Sequence, residues 1–471
     1  MADPRGLLAN ALLFSAALAT AEGAMTATLV LANATTDDKH VTRLATAALY
    51  AAFAIASTFV YKCVHRIGAK SAMASAMLGI STYCAAFALL TSKLGLVAAG
   101  VLGGCAGALL WNAQGVYFTQ NAMAYATARV HNGSGRGDVH AHDEDKEQLA
   151  FDTISGIFTI VLFVFLGGAK ELAALSLAKW PRMSRVLFLS YGVMALCSAS
   201  VIFFIMPFNR PRIAPSTACV SSWRPLTTCT RACLGNGALI ATLVEPRMIL
   251  ITPTNFAFGL VTALFPSVVS QRIKRDRGVA AVGWYFAVAA MISTLFALLT
   301  MVAAQRFRSS RQFALLGGAA AFTYACARFV VCERQGCRAM SDVDWCLVFV
   351  CYGIGLASWQ SCVMALYGSM SKTTPHTVFA HLKMTSGLAS FAGFLWSDTL
   401  SGFTFSCISL GMIFLGGASM CWFLYRYGVD SQSGAVDGQS LFAPGSSTSI
   451  ELPNAPQEVI QVSSEIDMNY K

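Results

Sequence analysis

The sequence predicts an all-α polytopic membrane protein with twelve transmembrane helices, arranged as two pseudo-symmetric halves of six helices each. Of its 471 residues, 56% are hydrophobic and only 12% are charged, whereas soluble domains contain about 25% charged residues. Twelve apolar runs are long enough to cross a hydrocarbon core of about 30 Å as helices. Two sequence features of the first half also return in the second half.

The apolar runs define the predicted spans. They cover residues 7–32, 41–62, 70–91, 94–119, 149–169, 184–207, 247–269, 279–304, 312–332, 344–367, 376–397 and 400–425. The first run could instead be a signal peptide, because Ala19-Thr20-Ala21 resembles a cleavage site. Its apolar character continues to Leu31, so we interpret it as a helix.

The fourth span carries groups that a lipid-facing helix would avoid. Gly103 and Gly107, four residues apart, favour the close approach of another helix. The amides of Asn112 and Gln114 are costly in hydrocarbon unless they face protein or a water-filled cavity. This span is therefore predicted to lie inside the bundle.

The tenth span repeats this pattern. Gly355 precedes Trp359 by four residues, as Gly107 precedes Trp111. The turn at 64–70 likewise has an echo at 305–311, again between two spans. Both echoes are separated by similar lengths, which indicates a parallel repeat of six spans plus six.

The repeat predicts four regions. Residues 1–207 form the N-terminal half and 247–427 the C-terminal half. Between them, 208–246 is rich in Pro, Ser, Thr and Arg and is predicted to be a cytoplasmic linker. The polar segment 428–471 is predicted to be a disordered, acidic C-terminal tail.

The two tryptophans lie at nearly the same predicted depth, toward the cytoplasmic ends of their spans. One interpretation is an aromatic belt at the membrane interface. The neighbouring amides and glycines favour the other interpretation, in which Trp111 and Trp359 face the interior and help to close the cytoplasmic end of a cavity.

Two charged residues lie within predicted spans. Glu22 is a candidate functional group by its position, the alternative being a hydrogen-bonded structural carboxylate. Counting depth from the start of each span separates Glu22 from Lys383 by several helical turns. We therefore expect that the two do not pair and that Lys383 reaches to the inner interface.

Charge and sequons predict the topology. Lys62, His65, Arg66 and Lys70 surround a short turn, which the positive-inside rule assigns to the cytoplasm. Both termini are then inside and the sequon at Asn33 is outside, a glycosylation candidate, whereas the sequon at Asn132 is inside. The same topology places the basic segment 271–277 in an outer loop, against the rule.

Other motifs support no catalytic or metal site. The His-rich and acid-rich segment 131–145 is interpreted as a solvated loop rather than a metal site. Cys332 and Cys337 either pair or remain two free thiols. No phosphate-binding loop, zinc-protease helix or nucleophile elbow is present in the sequence, so we expect no enzyme activity, no catalytic residue and no cofactor. The net charge of +10 is attributed to loops that meet lipid headgroups, not to nucleic acid.

Several stretches together resemble the uncoordinated-93-like family, a branch of the major facilitator superfamily. They are 49–54, 68–70, 103–119, 355–360 and 379–383 with Gly387. The resemblance implies a major facilitator fold in which spans 1, 4, 7 and 10 line a central cavity. It also implies association with ion channels or with receptor trafficking.

The resulting prediction is a multi-pass carrier of a small solute or ion that works by alternating access. The alternative is a non-transporting regulator of an ion channel or a trafficking partner of other membrane proteins. Either would reside in the lipid bilayer of the plasma membrane or an endomembrane. The candidate cavity residues are Glu22, Trp111, Asn112, Gln114, Tyr117, Asn255, Trp359 and Gln360.

Overall fold

The computed structural model describes residues 3–35, 39–90, 92–133, 143–179, 183–207, 239, 241–307, 309–335, 340–370 and 375–428. These residues contain twelve long helices. They are α1 (Pro4–Thr35), α2 (Lys39–Ile67), α3 (Ala69–Leu89), α4 (Lys93–Gly133), α5 (Asp143–Lys179), α6 (Ser184–Ile202), α7 (Pro246–Arg277), α8 (Val279–Arg306), α9 (Ser310–Gln335), α10 (Asp342–Met370), α11 (Pro375–Thr399) and α12 (Gly402–Gly428).

Eleven of the twelve are long and apolar enough to cross a membrane, and α11 is the exception. This helix carries polar side chains that are buried, among them His381, Lys383 and Thr385. It packs against α2, α4 and α7, so protein rather than lipid surrounds much of its surface. A helix enclosed in this way can be less apolar than its neighbours. The polytopic all-helical architecture is thus confirmed.

The helix contacts repeat between the two halves. The pairs α1–α5, α2–α4 and α3–α4 of the first half correspond to α7–α11, α8–α10 and α9–α10 of the second. Two further pairs, α2–α11 and α5–α8, join the halves in a symmetric manner. Contacts group Met1–Arg426 into one compact unit. The proposed linker lies largely outside the described residues, and the proposed tail lies outside them after Gly428.

Contact between the backbones of two helices occurs at glycines other than the predicted pair. A Cβ atom on Gly100 would lie 2.3 Å from the Ala45 carbonyl oxygen, and one on Gly104 would lie 2.1 Å from that of Leu49. These two glycines, again four residues apart, let α4 touch the backbone of α2. In the second half, Gly353 meets the Ala289 carbonyl oxygen of α8 in the same way.

The predicted pair Gly103 and Gly107 faces aromatic rings instead. A Cβ atom on Gly103 would lie 2.6 Å from the Tyr83 ring, and one on Gly107 would lie 3.2 Å from the Phe53 ring. The spacing of four residues was thus the correct signal, but several glycines in this run satisfy it, and sequence alone does not choose between helix faces.

Two predicted loops are partly helical. Helix α4 continues to Gly133 and α5 begins at Asp143, so both ends of the stretch between the predicted spans, 120–133 and 143–148, are helical. His140 and His142 of the His-rich segment lie outside the described residues. Helix α7 continues through a π-helical turn at Phe265–Val269 to Arg277, so the basic segment 271–277 is not a loop.

Acidic partners explain the basic end of α7. Arg277 forms an ion pair with Asp342 at 2.7 Å, and Arg272 lies 3.2 Å from Asp276. The positive charges are thus partly neutralised within the protein, which weakens their effect on orientation. Cys332 is disulfide-bonded; its predicted partner Cys337 lies outside the described residues, so that pairing stays a prediction.

Candidate functional site

Glu22 of α1 and Trp111 of α4 form the centre of the candidate site. The indole Nε1 of Trp111 donates a hydrogen bond to Glu22 Oε2 at 3.2 Å. Both residues are buried, with 8% and 7% of their surface exposed. A buried carboxylate needs such a donor, because an unpaired charge in a low-dielectric interior is costly.

Lys383 of α11 approaches the same indole from the other half of the protein. Its Nζ lies 3.6 Å from the centre of the Trp111 ring, well within the range of a cation–π interaction. It is also attracted electrostatically to Glu22. In the described residues Glu22 and Lys383 are not in direct ion-pair contact, and Trp111 bridges them.

The expectation that Lys383 reaches to the inner interface is therefore wrong, because its side chain is buried with 8% exposed. The depth argument failed because it assumed that all helices begin at one level. Helix α1 has 32 residues and α11 has 25, so each is longer than a hydrocarbon core of about 30 Å requires, and by a different amount. Depths in the membrane that are counted from the first residue of each helix therefore cannot be compared between α1 and α11.

A second ammonium group lies near the carboxylate. Lys170 of α5 is attracted electrostatically to Glu22, and its Nζ lies 5.7 Å from the centre of the Phe286 ring of α8. The ammonium groups of Lys170 and Lys383 are thus both attracted to the Glu22 carboxylate.

Trp359 of α10 is buried as well, with 2% exposed. Its indole donates a hydrogen bond to the Leu315 carbonyl oxygen at 3.2 Å and packs edge-on against Phe322. Both tryptophans therefore face protein, as predicted, and neither lies in a lipid-facing belt. Their hydrogen-bond partners differ, since Trp111 bonds a carboxylate and Trp359 a backbone carbonyl.

A small cavity lies next to Trp359 in the second half. Its volume is about 20 Å³, room for about one water molecule. Three predicted candidates line it together, namely Asn255, Trp359 and Gln360. Lys383 lines it too, so the cavity adjoins the contact between the halves. The remaining lining residues are Phe258, Val363, Met364, Leu382 and Ser386.

An asparagine–tyrosine hydrogen bond occurs in both halves. Asn10 of α1 donates from Nδ2 to Tyr117 Oη of α4 at 2.9 Å. Asn255 of α7 donates from Nδ2 to Tyr367 Oη of α10. The equivalent helices of the two halves are thus tied by the same chemistry, which places Tyr117 in a pair that joins α1 to α4 rather than in the cavity.

The last two candidates, Asn112 and Gln114, are buried within the first half with no exposed surface. Asn112 donates to the Ala108 carbonyl oxygen of its own helix at 2.8 Å. Neither polar atom of the Gln114 amide has a hydrogen-bond partner among the described residues. These amides face protein, as predicted, but the structure does not bring them to the cavity.

Sequence reasoning missed Asn10, Tyr367, His381 and Lys383 as members of this site. His381 is fully buried in α11, where its ring nitrogens lie 3.1 Å from Thr252 Oγ1 and 3.3 Å from Tyr367 Oη. For His381 and Lys383 the sequence did hold a signal, because both are ionisable side chains within the predicted span 376–397.

Two repeated six-helix halves that pack together, with buried charged side chains at their contact, are the arrangement of the major facilitator fold. The crystal structure of the human organic anion transporter MFSD10 (TETRAN) matches with a TM-score of 0.62 and 14% sequence identity, over 89% of this chain and 100% of that chain. At this identity the likeness supports the fold alone.

A family model for the ion channel regulatory protein UNC-93 matches residues 37–294, more than half of the chain. The protein belongs to the UNC-93 family. No curated protein sequence matches the chain.

Proposed function

We propose that the protein carries a small solute or ion across its membrane by alternating access. The observation that carries this proposal is the set of contacts from Lys383 through Trp111 to Glu22. It links α11 of one half to α4 and α1 of the other, inside the bundle.

Buried charges at this interface are costly unless they serve a purpose. Apolar side chains of similar volume hold helices together at least as well as buried ion pairs do, and ionisable groups within membrane spans are functional candidates for this reason. Separating the halves would move Lys383 away from the Trp111 ring. The interaction would therefore break and reform in each transport cycle.

Tight packing closes the bundle at the end that the charge pattern assigns to the cytoplasm. A Cβ atom on Gly115 of α4 would lie 2.2 Å from the Phe379 ring of α11. Asp152 of α5 also forms an ion pair with Arg311, which belongs to the second turn of the sequence echo. Both contacts cross between the halves, so a carrier must release them to open at this end.

A non-transporting regulator of an ion channel is the second candidate, favoured by the description of the family model that the chain matches. A regulator would act through its surface toward the partner. Under that function, neutralising the central charges would leave the effect on the partner intact, provided that the protein folds.

The two functions differ in whether the halves must separate. Ser155 Oγ of α5 and Ser361 Oγ of α10 lie 3.2 Å apart across the halves. Cysteines at both positions should form a disulfide that locks them together. We would reconstitute the protein in liposomes, present a mixture of cellular metabolites and inorganic ions, and measure the internal contents by mass spectrometry.

At least one solute should enter liposomes that hold the wild-type protein. Uptake should be lost in the oxidised Ser155→Cys, Ser361→Cys double variant and return with reductant, and each single variant controls for the native cysteines. Uptake by the locked protein equal to that of the reduced protein, or no uptake above that of empty liposomes, would contradict a carrier.

A further inference from the structure

We propose that the cavity beside Lys383 and Gln360 binds the carboxylate of a small organic anion with an apolar body. This inference rests on the carrier proposal in one respect, because a ligand larger than water enters only if the halves separate. It adds the chemical class of the substrate.

Unpartnered hydrogen-bond donors point to an anion. Gln360 is more than nine-tenths buried, and its Nε2 has no hydrogen-bond partner among the described residues. Lys383, whose ammonium group has three N–H donors, lines the same cavity. In the described structure this group faces the indole ring and forms no direct ion pair. Donors without acceptors at a buried site are costly until an acceptor arrives.

The charged groups near the cavity also favour an anionic ligand. Glu22 attracts two ammonium groups electrostatically, those of Lys170 and Lys383. The Trp111 N–H already engages this carboxylate, so Glu22 is directed toward the indole edge. A buried ammonium group is costly without an anionic partner, and an anionic ligand in the cavity would give Lys383 a partner of its own. A cationic ligand would not provide one.

The lining of the cavity favours a ligand whose remaining part, beyond the carboxylate, is apolar. Apart from the polar groups already named and Ser386, its lining is apolar, with Phe258, Val363, Met364 and Leu382 beside the Trp359 ring. A carboxylate has two acceptor oxygens that suit two separate donors, and a short alkyl chain matches the apolar wall. In the described conformation the cavity has room for only one water molecule, so binding requires it to widen.

The anion site can be tested with three ligands that are similar in size but differ in charge. Butyrate, butyramide and butylammonium would be added at constant ionic strength to the purified full-length protein in detergent, and the thermal unfolding midpoint would be measured. A ligand that binds only the folded protein raises this midpoint with increasing concentration. Butyrate should raise it, and butyramide and butylammonium should not.

Variants then locate the effect. Lys383→Gln should abolish the butyrate-dependent rise, and Lys383→Arg should retain part of it because the positive charge remains. Gln360→Glu should abolish it by repulsion. Lys62→Gln, which removes a positive charge from the predicted cytoplasmic turn, is the matched control and should respond like the wild type. If Lys383→Gln is too unstable to measure, the responses of Gln360→Glu and Lys383→Arg to butyrate show whether butyrate binds in this cavity.

Several outcomes would overturn the anion site. They are stabilisation by butylammonium or butyramide equal to that by butyrate, an equal effect of sodium chloride, no effect of butyrate, or an undiminished effect in Gln360→Glu. The anion site and the carrier proposal can still fail separately. Butyrate binding without uptake of any solute would support the anion site and contradict the carrier. Uptake of a cation without stabilisation by butyrate would support the carrier and contradict the anion site.

Discussion

Lys383 and Trp111 meet between the two halves of the bundle, with the ammonium nitrogen 3.6 Å from the centre of the indole ring. Because Trp111 also donates its N–H to Glu22, one side chain serves two charges of opposite sign. The ring face attracts the cation and the ring edge attracts the anion.

Replacing Trp111 by Phe separates these two tasks. The Phe ring keeps a face for Lys383 but has no N–H for Glu22, so a buried carboxylate loses its donor. We expect a loss of about 1–3 kcal/mol in the free energy of unfolding and reduced function. Thermal unfolding in detergent measures the first effect. Trp359→Phe removes a hydrogen bond to a neutral carbonyl instead, and an equal or larger loss there would contradict the special role of Trp111.

Gly104→Ala should destabilise the protein strongly. Its Cβ atom would lie 2.1 Å from the Leu49 carbonyl oxygen, and backbone atoms cannot move aside without separating α4 from α2. The matched control is Gly317→Ala in α9, where an added Cβ meets nothing within 4 Å. The unfolding midpoint should fall in the first variant and stay the same or rise in the second. Equal midpoints in the two variants would show that α4 and α2 are not so close.

The Asn10–Tyr117 bond should hold α1 against α4. Tyr117→Phe removes the hydroxyl group that bonds Asn10 and also the Met206 carbonyl oxygen, the latter at 2.8 Å. A loss of about 0.5–2 kcal/mol is expected, since hydrogen bonds inside membrane proteins are modest. Tyr425→Phe, at an exposed position of α12, serves as the control in the same unfolding assay. A similar loss in both variants would assign the effect to the ring and not to the bond.

The predicted topology places Asn33 outside and Asn132 inside. Expression in a glycosylating cell should give a glycan that is removed by glycosidase and abolished by Asn33→Gln. Asn132→Gln should leave the gel mobility unchanged. A glycan on Asn132 would reverse the orientation of the bundle, and with it the end that Phe379 and Gly115 close.

The fold was predictable because a bilayer imposes one length on every span, and hydropathy reports that length directly. The residues at which the helices end could not be predicted in this way. Helix α4 continues to Gly133 and has 41 residues, more than a hydrocarbon core of about 30 Å requires, and the length of a span does not report where such a helix ends. Hydropathy likewise did not show that the helix of the seventh span continues through 271–277. The charge rule counts the basic residues of this segment without their partners, and Asp342 pairs with Arg277.

The sequence predicted which polar residues face protein better than it predicted which of them contact one another. Polar residues inside spans were correctly expected to face protein, since lipid penalises them at any depth. Which of them meet depends on tilt and on where each helix begins, and that information does not lie in the spacing along one helix. Glu22 and Lys383 were therefore predicted to lie at different depths and to be unconnected, whereas Trp111 contacts both. Two of the cavity candidates, Asn255 and Gln360, line one small cavity.

The most direct test of the central claim is a double-mutant cycle on Glu22 and Lys383. Its readout is the initial rate of uptake into liposomes of a solute that the wild-type protein carries. If the two residues act as one unit through Trp111, Glu22→Gln and Lys383→Gln should each lower the rate by about tenfold or more, a change of about 1.4 kcal/mol. The double variant should then be no slower than the slower single variant. Rates that fall by the product of the two single effects, or full activity in either single variant, would contradict the account.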